Sequence, residues 1–251
     1  SSVAVATTAG ILAIAAMVVA CSGTSALRSG GSGGPPGASV APQSVPPSID
    51  AGQPSASTGL GEACPAGAGD AEAAIKASAS AQLAAPSYRA DTVLTRRDGQ
   101  KGSSTIEYVA PDRLHMTFTS PELGQTTEMI QIGNNSWLKI NGTWTKSPAI
   151  DVREILAISR QLTEAARITN ASIVGSEQVG PDATTVYHFV ADFSGNGTIA
   201  TSDAKLWVRN GDCLPVKLES SIKPNVPGAT GTEQVLETFS KWGAVTIEPP
   251  A

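Results

Sequence analysis

Apolar positions follow one rule at the start of this chain, none in the stretch after it, and two further rules beyond Asp70. Residues 9 to 20, AGILAIAAMVVA, form an uncharged apolar run. At about a dozen residues it is short for a membrane span, which needs roughly 20, and it suits the apolar region of a secretory signal. A buried core helix and an uncleaved anchor are the other readings, but residues 22 to 63 offer nothing for such a helix to pack against. The basic segment and initiating Met that precede a signal's apolar region are absent, so the start is expected to be truncated.

From Asp70 the spacing becomes helical. Asp70 can cap a helix over AEAAIKASASAQLAA, in which Ile75 and Leu83 share one face, and Pro86 ends it. Extended runs follow near Tyr88 to Arg96, Ser103 to Val109, Arg113 to Thr119, Thr126 to Ile132 and Ser136 to Ile140. Turn signals at Asp98-Gly99, Pro111-Asp112, Pro121 to Gly124 and Gly133 to Asn135 separate them, so neighbours are expected to pair antiparallel. A second helix is predicted from Asp151 to about Arg167, with Val152, Ile155, Leu156, Ser159 and Leu162 on one stripe and Ile158 widening it. Strands resume near Ala171 to Val179, Thr184 to Phe193, Ala204 to Arg209, Leu214 to Ser221 and Thr232 to Trp242, with turns at Pro181-Asp182 and Asn210 to Asp212. About ten antiparallel strands with two helices predict an α+β domain built on one curved sheet.

Alternation assigns faces to these strands. Leu114, Met116 and Phe118 alternate with Arg113, His115, Thr117 and Thr119. Leu206 and Val208 alternate with Lys205, Trp207 and Arg209, and Val216 and Leu218 with Lys217 and Glu219. The apolar sets are expected to face inward, covered by the stripe of Val152, Ile155, Leu156 and Leu162. Periodicity reads equally as a filled core or as a lined cavity.

Composition then separates two materials. Of 251 residues, 41% are apolar but only 4% are aromatic, and every Phe, Trp and Tyr lies between Tyr88 and Trp242. Residues 22 to 63 are rich in Gly and Pro and carry only Arg28, Asp50 and Glu62 as charges. Such a segment cannot bury enough apolar area to offset the entropy of ordering it, so a flexible tether is expected. Some 40 residues of this kind would hold a domain about 35 Å from an anchor. A formal net charge of −5 without any basic block argues against nucleic acid as a partner.

Val18-Val19-Ala20-Cys21 resembles the lipobox of bacterial lipoproteins. The resemblance implies that Cys21 receives a diacylglyceryl group and, after cleavage, becomes a lipid-anchored N-terminus on the extracytoplasmic face of a cell membrane. The expected organisation is therefore a signal peptide over 1–20, a lipidated cysteine and tether over 21–63, and a lipid-binding domain over 64–251. Further on, Ile106 to Leu114, Ile132 to Leu138, Asn141-Gly142-Thr143-Trp144, Leu206-Trp207-Val208 and Leu214 to Leu218 occur in an order that resembles the LolA and LolB lipoprotein carriers and the actinobacterial LppX/LprG-type lipoproteins. That resemblance spans about Asp70 to Glu248 and implies a half-open antiparallel barrel, covered by helices, around an apolar cavity for acyl chains. The resemblance names a class of ligand and no site; the lining expected from alternation and the helix stripe is Leu114, Met116, Phe118, Val152, Ile155, Leu156, Leu162, Leu206, Val208, Val216 and Leu218. The expected function is non-catalytic carriage of an acyl lipid or lipoprotein by a monomer, with no cofactor and no metal. The alternative is an envelope sensor or scaffold using the same fold.

Other motifs add little chemistry. In an exported protein Cys64 and Cys213 read most simply as a disulfide, against two separate thiols. Closing so long a loop would contribute roughly 4 kcal/mol. Gly195 to Ala200 fits a dinucleotide string, but no helix is predicted after it, and a loop is expected. His115 and His188 lack spaced partners for zinc, and no supported nucleophile is visible. Asn134, Asn141, Asn170 and Asn196 begin glycosylation sequons, which a bacterial lipobox makes irrelevant. Arg96, Arg97, Glu233 and Glu237 are expected on the solvated surface.

Overall fold

A computed structural model of the protein describes residues 70–120, 125–140, 142–152, 156–164, 166–195, 198–225 and 231–250. The apolar run, Cys21, the Gly/Pro tether and Cys64 lie outside the described residues.

Helix α1 covers Ala71–Ala84. The Asp70 side chain caps it, accepting a hydrogen bond from the Ala73 amide at 3.1 Å. Ala85 is already extended before Pro86, whose ring disfavours a helical predecessor. Ala74, Ile75, Ser78 and Ala79 form its buried face, small enough for the helix to lie close on a sheet.

Strands β1 (Ser87–Thr95), β2 (Lys101–Val109), β3 (Arg113–Ser120), β4 (Gln125–Ile132), β5 (Asn135–Ile140) and β6 (Thr143–Ser147) follow as a meander. Helix α2 (Ala157–Glu164) interrupts them, and β7 (Arg167–Val179), β8 (Asp182–Gly195), β9 (Thr198–Arg209), β10 (Pro215–Pro224) and β11 (Glu233–Ser240) complete a second meander. All eleven described strands share one open antiparallel sheet in the order β6-β5-β4-β3-β2-β1-β11-β10-β9-β8-β7. The turns at Asp98-Gly99, Pro111-Asp112, Gly133 to Asn135 and Asn210 to Asp212 fall where the sequence marks them, and Pro121 to Gly124 lies outside the described residues; Gly99, at φ 83, takes the left-handed conformation that the β1–β2 turn requires.

The elements differ from expectation in three places. Strand β6 was not expected, because Trp144 is the only large apolar residue in TWTKS, yet it pairs along its length with β5. The helix expected over Asp151 to Arg167 is described only as Ala157–Glu164. Its far end is instead β strand: Arg167 and Ile168 pair with Asp192 and Ala191, so ladder bonds to β8 override the local helical spacing. β7 accordingly starts ahead of Ala171 and carries register shifts between Thr169 and Ser172 and between Ile173 and Gly175.

Both helices lie on one face of the sheet, called inner here. Ile75 and Leu162 pack with Tyr187, Phe189, Ala204, Leu206 and Val208 from β8 and β9. On the opposite, outer face the segment after β11 crosses back over the sheet, where Val245 and Ile247 pack with Ile130, Ile132, Trp137 and Trp144. The Val245 amide donates to Ser87 Oγ at 3.1 Å, and Arg113 Nη1 donates to the Ile247 carbonyl at 3.3 Å.

Candidate functional site

The inner face is read from the register. One transverse row runs Gln131, Leu114, Tyr108 and Tyr88 across β4 to β1. The next runs Met129, Met116, Ile106, Ala90 and Phe239 into β11. A third runs Thr127, Phe118, Ser104, Thr92, Glu237, Leu218, Leu206 and Tyr187 from β4 to β8. The first two rows are apolar apart from Gln131 and the tyrosine hydroxyls. The third starts at Thr127, is apolar at Phe118 and again from Leu218 to Tyr187, and is polar between them at Ser104, Thr92 and Glu237.

Among the expected lining residues, Leu114, Met116, Leu206, Val208 and Val216 are buried, and Phe118 and Leu218 are half-buried. Val152 and Leu156 close over Tyr88, Tyr108 and Phe239, while half-buried Leu162 joins the β8–β9 cluster. Ile155 lies outside the described residues. The set is not one cluster: Leu114 and Met116 pack with Ile106 and Met129, separately from Leu206 and Val208. Leu218 packs against both the β8–β9 cluster and the cluster of Tyr88, Ala90 and Phe239 on β1 and β11.

Polar side chains pin the cover to this face. Gln131 Nε2 donates to the Ile150 carbonyl and its Oε1 accepts from the Ile150 amide, both at 2.9 Å, which fixes the segment ahead of α2 against β4. Ser159 on α2 donates to Gln82 Oε1 on α1 at 2.8 Å. Gln82 also lies beside the Tyr88 hydroxyl, which burial pushes above the ordinary tyrosine range. A chain of contacts thus runs from α2 through α1 to β1.

Glu233 and Glu237 overturn the expectation of a solvated surface. On β11, residues 233, 235, 237 and 239 face inward. Glu233 is buried and lies 3.6 Å from Arg97 Nε. Glu237 is half-buried as a residue, but its carboxyl group is desolvated and is pushed up from 4.5 to about 7, opposed only by the hydrogen bond it accepts from Thr92 Oγ1 at 3.3 Å. Alternation could have flagged it, since Val235 and Phe239 flank it at two-residue spacing.

Chemistry on the outer face is that of a charge ladder. Lys139 meets Glu128 at 2.9 Å, Glu128 meets His115 Nε2 at 3.0 Å, and His115 Nδ1 meets Glu107 at 3.2 Å. Arg89 and Lys241 close on Glu107 at 3.5 and 3.1 Å. Glu107 is held below the ordinary carboxylate range by Lys241 and His115 against its desolvation, and Glu128 by Lys139 and His115. His188 pairs with Asp203 at 2.9 Å. Among the described residues, no group of three or more His, Cys, Asp or Glu side chains is placed to hold a metal ion.

Trp207, expected on the polar face, does face outward but is buried there: its indole N–H donates to Glu177 at 2.6 Å and Lys217 Nζ lies 4.1 Å from its ring centre. A shallow groove of about 300 Å³ also opens on this side, lined by Val93, Thr95, Lys101, Gln234 and Leu236. Gly195 ends β8 and Thr198 to Ala200 begin β9, so most of the dinucleotide-like string, expected as a loop, is paired strand, and residues 196 and 197 lie outside the described residues. Cys213 is disulfide-bonded, and Cys64 lies outside the described residues.

No protein-family model and no curated protein matches the chain. Solved structures similar to it include a MucA/MucB complex of Pseudomonas aeruginosa, at 15% identity and TM-score 0.38, covering 68% of this chain and 57% of that one. MucB in complex with MucA(peri) is similar at 16% identity and TM-score 0.36, covering 73% and 60%. A LolA superfamily protein from Nitrosomonas europaea is similar at 9% identity and TM-score 0.30, covering 69% and 92%. The match thus spans less than two thirds of the chains matched in the two MucB complexes.

Proposed function

We propose that this chain is a non-catalytic, extracytoplasmic carrier of LolA-like fold, anchored to the membrane through Cys21, that holds the acyl chains of a lipid or lipoprotein against the inner face of its sheet. One observation carries the reading: the two described helices and the segment ahead of α2 lie on the same face as the apolar rows, while Phe118, Leu138, Leu162 and Leu218 on or over that face are only half-buried. Acyl area placed there would contribute about 0.8 kcal/mol per methylene. Organic extraction of the purified full chain, followed by lipid mass spectrometry, is expected to recover an acyl lipid in near-stoichiometric amount. Recovery of none would overturn the reading.

A second reading, an envelope sensor or scaffold, is favoured by Ile173 and Val174, which are 44% and 52% exposed on edge strand β7. An edge strand with exposed apolar residues is a template for pairing with another chain. This reading expects no bound lipid in the same extraction.

A further inference from the structure

The two edges of the described sheet are protected unequally. Strand β6 is five residues long, carries Lys146, and packs Trp144 with Val245 and Ile247. Strand β7 is 13 residues long and has no lysine, and its residues 172 to 178 are all exposed, Ile173 and Val174 among them. Shortness and lysine are ordinary guards against strand pairing, and β7 lacks both.

The sequence of β7 is matched about one residue, Ser172. Its only charges are Arg167 and Glu177, at equal distances on either side. In the ladder Arg167 is opposite Asp192, Ser172 opposite His188 and Glu177 opposite Thr184, positions of β8 that alternate with inward-facing Tyr187 and Phe189, so all three lie on the outer face. Glu177 also accepts the Trp207 indole N–H at 2.6 Å, which fixes its carboxylate on that face. The two register shifts are balanced as well: one extra residue falls between Thr169 and Ser172, and one between Ile173 and Gly175.

A bulged edge is a poor template for a straight strand, because each bulge bends it away. A second copy turned about a two-fold axis through Ser172 meets the first bulge with its own second bulge, so register is kept beyond both. The same rotation sets Arg167 of each copy opposite Glu177 of the other. Opposite charges across a ladder stabilise it and like charges do the reverse, so a parallel arrangement is disfavoured. Self-complementarity of this kind is what a two-fold interface requires.

We propose that two copies of this chain pair their β7 strands antiparallel about Ser172, joining their sheets edge to edge. The inference takes up the edge that favours the scaffold reading, gives it a second copy as occupant, and stands or falls independently of lipid carriage.

The test is sedimentation equilibrium of the purified full chain over a concentration series. A reversible dimer is expected with a Kd of about 10 μM, because one added strand pair buries less than a standard interface. Arg167→Glu, which opposes carboxylates at both ends, is expected to weaken it about tenfold, as is Glu177→Arg; the variant carrying both should return to within about threefold of the parent. Ile173→Lys, an exposed site near the axis in both copies, should also weaken it about tenfold, whereas Lys146→Glu on the other edge should not change it. Circular dichroism identifies any variant that fails to fold, and Ile173→Lys then carries the comparison. A monomer at every concentration, a dimer that folded Arg167→Glu and Ile173→Lys leave unchanged, or a folded double variant that stays weakened overturns the inference. Recovery of lipid by extraction bears on the carrier reading alone.

Discussion

The two meanders of the sheet are finished differently. Strands β7 to β10 are 13, 14, 12 and 10 residues long, and on the inner face of β8 and β9 lie Tyr187, Phe189, Ala191, Ala204 and Leu206 beneath α1. Strands β3 to β6 are 8, 8, 6 and 5 residues long, and β4 and β5 carry apolar residues on both faces. Met129 faces inward and Ile130 outward, so the sequence Met129-Ile130 needs a cover on each side. Ile150 supplies one and the segment around Val245 and Ile247 the other. A strand with strict alternation is completed by one layer, whereas a strand with adjacent apolar residues recruits a second from elsewhere in the chain.

The largest effect that bears on this contrast is expected in the helix-backed meander. Phe189 is 1% exposed, and Phe189→Ala should cost about 3–5 kcal/mol in denaturant unfolding. A loss below about 1 kcal/mol would mean that α1 does not seal this half.

The junction between the halves comes next. Glu237 lies on β11, and its carboxyl holds a proton up to about pH 7 when folded, against an ordinary value of 4.5. Between those values the folded state keeps a proton that the unfolded chain has released, so this contribution is full below pH 4.5 and is lost as pH rises through 7. At about 1.4 kcal/mol per unit the slope amounts to at most about 3 to 4 kcal/mol. Glu237→Gln should flatten the pH dependence of unfolding free energy over that window; an unchanged slope would assign it to another group.

The smallest expected effect is at the outer cover of the shorter meander. Ile247→Ala should cost about 2 kcal/mol, the low end for a buried isoleucine, because the site lies at the edge of the sheet. Hydrogen exchange should quicken in β4 and β5 while β8 and β9 are unaffected. Equal quickening in both would show that the meanders open as one unit.

Much of this architecture was legible. Asp70 and Pro86 bound α1, and glycine- and proline-containing turns mark most of the hairpins. The alternation of Leu114, Met116 and Phe118 correctly gives one face of β3. Strand β11 was harder, because both of its residue sets contain apolar members: Val235 and Phe239 on one, Leu236 on the other. Pairing with β1 and β10 breaks that tie, turning Glu237 inward and leaving Leu236 39% exposed. β6 owes its existence to β5 more than to its own residues, and Trp207 is covered by Lys217 from the adjacent β10 and Glu177 from β7, two strands away. Ser78 looks like one small residue among alanines until burial shows that its hydroxyl is alone.

The central pairing of β1 with β11 also sets an order of events during synthesis. Arg89 meets Ser240 across that ladder, so the first strand of the sheet waits for the last. Each meander contains its own local pairings and can begin to form as it emerges, but no continuous sheet exists until Ser240 has been made. The chain is therefore two unjoined meanders until Ser240 can pair, and docking of β11 on β1 is the event that commits it to a single sheet.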